Sequence, residues 1–404
     1  MTAPREHAVH VVRTLREAGH EAVFAGGCVR DRLLGGAPDD YDVATDAVPA
    51  RVRELFGRKR TLAVGEAFGV IVVLGERPSP KEPPVQVEVA TFRADGEYAD
   101  GRRPKEVHFS SAEEDAQRRD FTINGLFYEP LGDRVLDYVG GRADLEAGIV
   151  RAIGDADARL SEDKLRSLRA VRFATRFGFC LDAATAEAVR RNAGGLKQVS
   201  RERVAQELTK MLRHPRRADA VAMMADLGLL PHAVPQAPEP DVATHSHLEA
   251  LNDPSLAVAL VAMLRGVDAA GVRAACRGLK LSNRVCDEAT WLASNRGRLA
   301  DWESGEPADR KTLLANEHAG SLLELERAGG VDVSAAAAYR ESAGNDVLDP
   351  PPLVTGDDLI ARGLKPSKRF KEILEAVRRR QLNEELAGRD AALAEVDRLV
   401  GYRG

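Results

Sequence analysis

The chain holds only four cysteines in 404 residues, Cys28, Cys180, Cys276 and Cys286, and no two form a C-x-x-C pair. That scatter argues against a zinc site or a disulfide framework and fits a reducing cytoplasm. No apolar run reaches the roughly 18 residues that a membrane-spanning helix needs, so no transmembrane segment is expected. The first residues, MTAPREHAVHVVRTLREAG, alternate charged and apolar positions at helical spacing and lack a signal-peptide apolar core. Tandem repeats and low-complexity tails are missing as well. The net charge is only −5, so bulk charge does not announce a nucleic-acid ligand. What is present is 44% apolar and 30% charged, enough for a buried core, at a length that favours two or three domains.

The most informative stretch runs from Gly26 to Asp42 and reads GGCVRDRLLGGAPDDYD. A glycine turn lets backbone N–H groups approach phosphates, and paired carboxylates can hold a divalent metal. Val43 and Ala44 extend an apolar run, so Tyr41–Ala44 is expected as a strand. Positions i and i+2 of a strand share a face, which would project Asp40 and Asp42 together. Two carboxylates that close repel unless a cation lies between them.

Organisation changes near residue 150. Before it, short β-like runs at 22–25, 41–44, 70–74, 85–91 and 134–138 alternate with helical patterns, which reads as α/β or α+β. After it, helical periodicity dominates, with helices expected at 162–177, 183–192, 201–212, 216–227, 256–265 and 368–385. The segment 231–240 carries too many prolines for a helix and marks a boundary; a second break falls at Asp349-Pro-Pro-Pro352.

Further chemistry lies downstream of the aspartates. Glu88 is either a third carboxylate near a metal or an edge-strand charge. The glycine-rich, charged segment from Arg93 to Pro104 reads either as a surface loop or as a lid bearing Asp95, Arg102 and Arg103. Arg118-Arg119-Asp120-Phe-Thr-Ile-Asn124 packs two guanidinium groups, a carboxylate and an amide into one short string, suited to phosphates and a ribose. Glu162-Asp163-x-x-Arg166 is expected to open a helix capped by Ser161, with Asp163 and Arg166 neighbours on one face. Arg169, Arg172 and Arg176 follow at nearby positions, more arginine than solubility requires.

Five blocks in order now carry a resemblance. They are Gly26-Gly27-Cys-Val-Arg30-Asp31 with Asp40-x-Asp42, the loop from Asp95 to Pro104, Arg118 to Asn124, Glu162-Asp163-x-x-Arg166 through Arg172, and Ser200-Arg-Glu-Arg-Val-x-x-Glu207-Leu. Together they resemble the class II tRNA nucleotidyltransferase and bacterial poly(A) polymerase family of the polymerase β superfamily, over about half the chain. The resemblance implies an α+β fold: a polymerase-β-like nucleotidyltransferase head, a small mixed sheet with helices, followed by an all-α neck, body and tail. It places the head at 1–150, the neck at 151–230, a degenerate HD-like body at 231–348 and the tail at 349–404.

The same resemblance implies site roles. Asp40 and Asp42 would hold two Mg²⁺ ions, and Gly27 and Arg30 would meet the triphosphate. Arg119 and Asp120, supported by Asn124, would hold sugar and phosphates. Asp163 and Arg166 would select the base, Arg169 and Arg172 would complete the pocket, and Glu207 would brace the base-selecting helix. The implied substrates are CTP, ATP and the acceptor and TΨC arms of tRNA, with no membrane and no protein partner. Val64-Gly-Glu-Ala-Phe-Gly-Val70 and a complete loop favour addition of CCA, the alternative being A-only or poly(A) addition.

The back half departs from many relatives. Where an HD phosphohydrolase-like module would place His-Asp, this chain reads Arg265-Gly266. His245 and His247 are therefore expected as surface or packing residues, which counts against a phosphohydrolase. A non-catalytic RNA-binding relative is the other alternative, and intact Asp40, Asp42, Asp163 and Arg166 count against it. Near the end, Lys365, Lys368, Arg369, Lys371, Arg378, Arg379 and Arg380 form a local basic cluster. It reads as either a solvated helix face or a tRNA phosphate contact.

Overall fold

A computed structural model describes residues 3–65, 69–77, 79, 81–95 and 107–401. The chain divides into two compact units, Met1–Pro235 and Gln236–Gly404. Their boundary falls inside the proline-rich stretch 231–240. That stretch is not wholly irregular, because Leu230–Ala233 forms a single helical turn with Pro231 at its start, where no intrahelical N–H is required.

The first unit contains every described strand: β1 (Ala22–Ala25), β2 (Asp42–Thr45), β3 (Thr61–Gly65), β4 (Val70–Leu74), β5 (Gln86–Thr91), β6 (Arg93–Asp95), β7 (Val107–Phe109), β8 (Leu126–Glu129), β9 (Arg134–Asp137), β10 (Ile149–Val150) and β11 (Cys180–Leu181). Seven of them form one mixed sheet in the order β3-β4-β5-β2-β1-β8-β9, in which β2 and β5 run parallel and the other neighbours antiparallel. All four residues of β1 are buried, as a central strand covered on both faces requires. Against one face lies the helix Ala3–Glu17, whose Ala8, Val11, Val12 and Leu15 follow helical periodicity and are fully buried. On the other face Val23, Ala25, Ala44, Phe92 and Phe127 enclose Ala112 and Ala116 of the helix Ala112–Gln117.

The expected helix 162–177 is two helices, Ala156–Glu162 and Arg166–Phe177. Asp163 adopts an extended conformation (φ −138°, ψ 105°), its side chain accepts the Leu165 N–H at 3.1 Å, and its carbonyl accepts the Arg166 N–H at 2.9 Å. Those bonds satisfy donors at the start of a new helix, so the break is stable. Ser161 lies inside the first helix, whose cap is Asp155. The helix Arg166–Phe177 packs on the helices Arg201–Leu212 and Arg217–Asp226.

The second unit is helical among its described residues. Leu256–Met263 is buried from Ala257 onward and stops short of the expected Arg265, because Gly266 takes a left-handed turn (φ 84°). The last helices, Gly356–Ala361, Lys368–Leu382 and Arg389–Val400, close over Val354, Leu359, Ile373, Val377, Ala392 and Val396. No described helix is long and apolar enough to cross a membrane.

Candidate active site

Register builds the floor of the site. Antiparallel pairing sets Ala25 of β1 opposite Asp42, so the turn at Gly26 stands beside the first residue of β2. Gly26 has φ 69° and ψ −129° and precedes the short helix Gly27–Leu33. A Cβ at Gly26 would lie 3.1 Å from Arg119 Nη1, so glycine serves both the backbone angle and the close approach of a cation. Parallel pairing places Glu88 of β5 directly opposite Asp42. Asp42 shares its sheet face with Ala44 at i+2, one position beyond the apolar layer. Asp40 lies just before β2 rather than on it, because the strand begins at Asp42 and not at Tyr41.

The electrostatics of that floor fit a divalent cation. Asp42 is open to solvent on one side yet crowded by protein on the other. Desolvation and then the Glu88 charge push its carboxyl up to about 6, Arg119 opposes this, and Asp40 adds to it. A cation would relieve this concentration of negative charge. No group of three His, Cys, Asp or Glu among the described residues forms a complete metal cage. Two carboxylates completed by water and nucleotide phosphates suit Mg²⁺, which keeps much of its hydration.

Above the floor sits a layer of arginines organised by a buried acid. Asp115, 2% exposed, accepts Arg118 Nη2 at 2.8 Å on one oxygen and Arg119 Nη2 at 3.0 Å on the other. Burial pushes the Asp115 carboxyl up, but Arg119 and Arg118 outweigh it and hold it below the usual carboxylate range. Arg119 also donates to the Asn124 carbonyl at 3.2 Å and lies over the Phe127 ring at 5.0 Å. Asp120 accepts from Asn124 Nδ2 at 2.9 Å and from Arg169 Nε at 2.7 Å. Burial would raise its carboxyl, yet Arg169 and the Asn124 bond bring it down to about 2. Asn124 in turn accepts Arg30 Nη1 at 2.5 Å.

Arg30 is 4% exposed; it pairs with Asp31 at 2.7 Å and lies 5.1 and 4.7 Å from the Phe173 and Phe177 ring centres. These contacts tie the glycine turn to the helix Arg166–Phe177. Gly27 is the first residue of its helix and faces the Arg30 guanidinium.

The base-selecting candidates occupy the helix break. Asp163 is held by Arg203, whose Nη2 reaches Oδ2 at 2.6 Å and Nη1 reaches Oδ1 at 3.2 Å. Arg166 donates to Glu162 at 2.5 Å, to the Arg159 carbonyl at 2.8 Å and to the Arg118 carbonyl at 3.2 Å. The two residues therefore do not share one helical face as expected: Arg166 is in the helix and Asp163 is in the kink. Arg172 is buried, donates to Glu207 at 2.5 Å and lies over the Phe173 ring at 4.0 Å. Glu207 is 3% exposed and joins the Arg201–Leu212 helix to the arginine helix.

Asp95 ends β6, while Arg102 and Arg103 fall outside the described residues. In the second unit, Arg378 pairs with Asp349, Arg379 with Glu306 and Asp309, and Arg380 with Glu385 and Glu395. These pairs remove three arginines from the expected basic cluster. Arg369 donates to the carbonyls of Leu399 and Val400, Lys368 is almost fully exposed, and Lys365 lies between the helices Gly356–Ala361 and Lys368–Leu382. His247 is buried with Nε2 2.8 Å from the Leu325 carbonyl, and burial lowers its pKa.

Sequence reasoning missed Asp115 and Arg203. Asp115 stands three and four residues before the arginines it clamps, a helical spacing that was available to be read. Arg203 carried no such signal, being forty residues from Asp163.

A carboxylate pair at the start of a sheet strand, beside a glycine turn and a guanidinium cluster, defines a nucleotidyltransferase. Residues 22–151 match the Poly A polymerase head domain, and residues 178–239 match the probable RNA and SrmB-binding site of polymerase A. The chain is 38% identical over 297 residues to the CCA-adding enzyme of Geobacillus kaustophilus, covering 72% of this chain and 70% of that one. It is 45% identical over 206 residues to the Bacillus subtilis CCA-adding enzyme, a match spanning about half of each chain. The structure of the Bacillus stearothermophilus CCA-adding enzyme in complex with CTP superposes with a TM-score of 0.80 at 29% identity, covering 99% of both chains. The chain belongs to the CCA-adding enzyme family.

Proposed function

We propose that this protein adds or repairs the 3′-terminal CCA of tRNA from CTP and ATP, joining the RNA 3′-hydroxyl to the nucleotide α-phosphate with release of pyrophosphate. The observation that carries the reading is the placement of Asp42, the Gly26 turn and Arg119 around one point, with Asp120, Asp163 and Arg166 behind them. Two Mg²⁺ ions bound by Asp40 and Asp42 would supply Lewis-acid activation and neutralise phosphate charge. Backbone N–H groups of the glycine turn and the Arg119 guanidinium bind and orient the triphosphate. Asp120, kept ionised by Arg169, accepts from the ribose. Asp163 and Arg166 offer an acceptor and donors to the base edge, while Arg169 and Arg172 close the pocket. The second unit supplies contacts to the acceptor and TΨC arms, including Lys365, Lys368 and Arg369. The four cysteines are all free, which supports a cytoplasmic setting.

Purified protein incubated with tRNA lacking its 3′ end and CTP, ATP or both tests this reading. Two additions with CTP alone and three with both nucleotides are expected. Addition of A alone, or of a long A tract, would replace it with A-adding or poly(A) activity.

A further inference from the structure

The Asp163 carboxylate sits in an unusual place: an extended residue between two helices, anchored at the side chain by the Leu165 N–H and by Arg203. Arg203 comes from the separate helix Arg201–Leu212, which the Arg172–Glu207 pair fastens to the arginine helix. The Arg203–Asp163 pair is neither sealed nor solvated, with the two side chains 21% and 16% exposed. A guanidinium fork spanning both oxygens fixes the carboxylate plane and leaves each oxygen able only to accept.

That restriction matters for base choice. Cytosine and adenine present an amino group beside an unprotonated ring nitrogen, whereas uracil and guanine present a carbonyl oxygen beside a ring N–H. An acceptor-only carboxylate matches the first pair and repels the second. A carboxylate freed from its fork can rotate out of that plane and no longer presents a fixed acceptor to the base edge.

We propose that Arg203 is a specificity-determining positioning residue, which holds Asp163 as an oriented, acceptor-only carboxylate so that C and A are taken and U and G are refused. This rests on the reading of Asp163 as a base-selecting residue. Arg203 does not touch the reacting atoms; it acts through Asp163. Arg166 is held in turn by Glu162, which accepts from its Nη1.

The test uses the full-length protein and tRNA lacking its 3′ nucleotides, with kcat/KM measured for CTP, ATP, UTP and GTP. Arg203→Gln, Arg203→Lys and Asp163→Ala are compared with the unaltered chain at matched thermal stability. Arg203→Gln is expected to lower the CTP-over-UTP preference on the order of tenfold, mainly through KM, as loss of one oriented hydrogen bond implies. Arg203→Lys, which keeps the charge without the fork, should recover only part of the preference and serves where the glutamine variant does not fold. A merely structural role would lower activity toward all four nucleotides equally. Unchanged discrimination in both Arg203 variants, with discrimination lost in Asp163→Ala, overturns the role of Arg203 alone. Unchanged discrimination in Asp163→Ala overturns the base-selecting reading itself, and the proposal with it.

Discussion

Asp42 shows how a functional residue sits against the interests of the fold. Desolvation and Glu88 push its carboxyl up to about 6, so its ionised form, still the major one at neutral pH, is less stable in the native state than in the unfolded chain. Asp42→Ala is therefore expected to keep or raise the melting temperature while lowering nucleotide incorporation by roughly a thousandfold or more. Calorimetry and a single-turnover assay on one preparation check both halves; normal incorporation would remove Asp42 from the catalytic floor. Asp120 is the opposite case. Its carboxyl lies at about 2 in the native state against an ordinary 3.8, so its contribution is present above pH ~4 and lost as pH falls toward 2. Asp120→Asn should cost about 2 kcal/mol at neutral pH. Denaturant titrations from pH 7 downward should show the gap from the unaltered chain narrowing below pH ~4; a gap constant with pH contradicts this linkage. Asp42 was expected on a strand and stands at the head of β2, whereas Asp40, expected on the same strand, precedes it. Arg30 was expected to meet the triphosphate, and its role as a buried brace could not be read, since its partners Asn124, Phe173 and Phe177 are distant in the chain.

At the scale of elements, close approach decides what can stand where. The short helix Gly141–Ala147 runs so near the turn Thr122–Asn124 that a Cβ on Gly141 would lie 2.1 Å from the Thr122 carbonyl oxygen. That oxygen is backbone and cannot swing aside. Gly141→Ala is expected to cost about 3 kcal/mol and to weaken CTP binding, because it displaces the turn that carries Asn124. Unfolding and nucleotide titrations measure the two effects. Elements with strong local periodicity, such as Ala183–Asn192 and Arg201–Leu212, were readable to the residue. The break at Asp163 was not, because a continuous helical pattern runs through it; the bonds that stabilise the break come partly from Arg203. The strands β3 and β8 also escaped notice, one interrupted by a register shift and the other buried at all four positions and so without alternation.

For the whole molecule, a net charge of −5 means that RNA contact depends on local placement of cations. Three tail arginines and Lys371 have acidic partners and Lys368 makes only a long 3.8 Å contact to Glu372, which leaves Lys365, Lys368 and Arg369 as the phosphate-facing candidates. Replacing these three with alanine should weaken tRNA binding at low salt and reduce the salt slope by up to about 3, with KM for CTP unchanged. Binding isotherms across a salt series decide it; an unchanged slope excludes the patch. The chemistry of the site (glycine turn, paired aspartates, arginine-rich blocks) could be read from the order of residues, because each motif is short and its spacing sets its local geometry. The pairing of β1 with β2, the Asp115 clamp and the Arg203 hold on Asp163 could not. They join groups brought together by sheet register and helix packing, and no local spacing encodes which distant guanidinium meets which carboxylate.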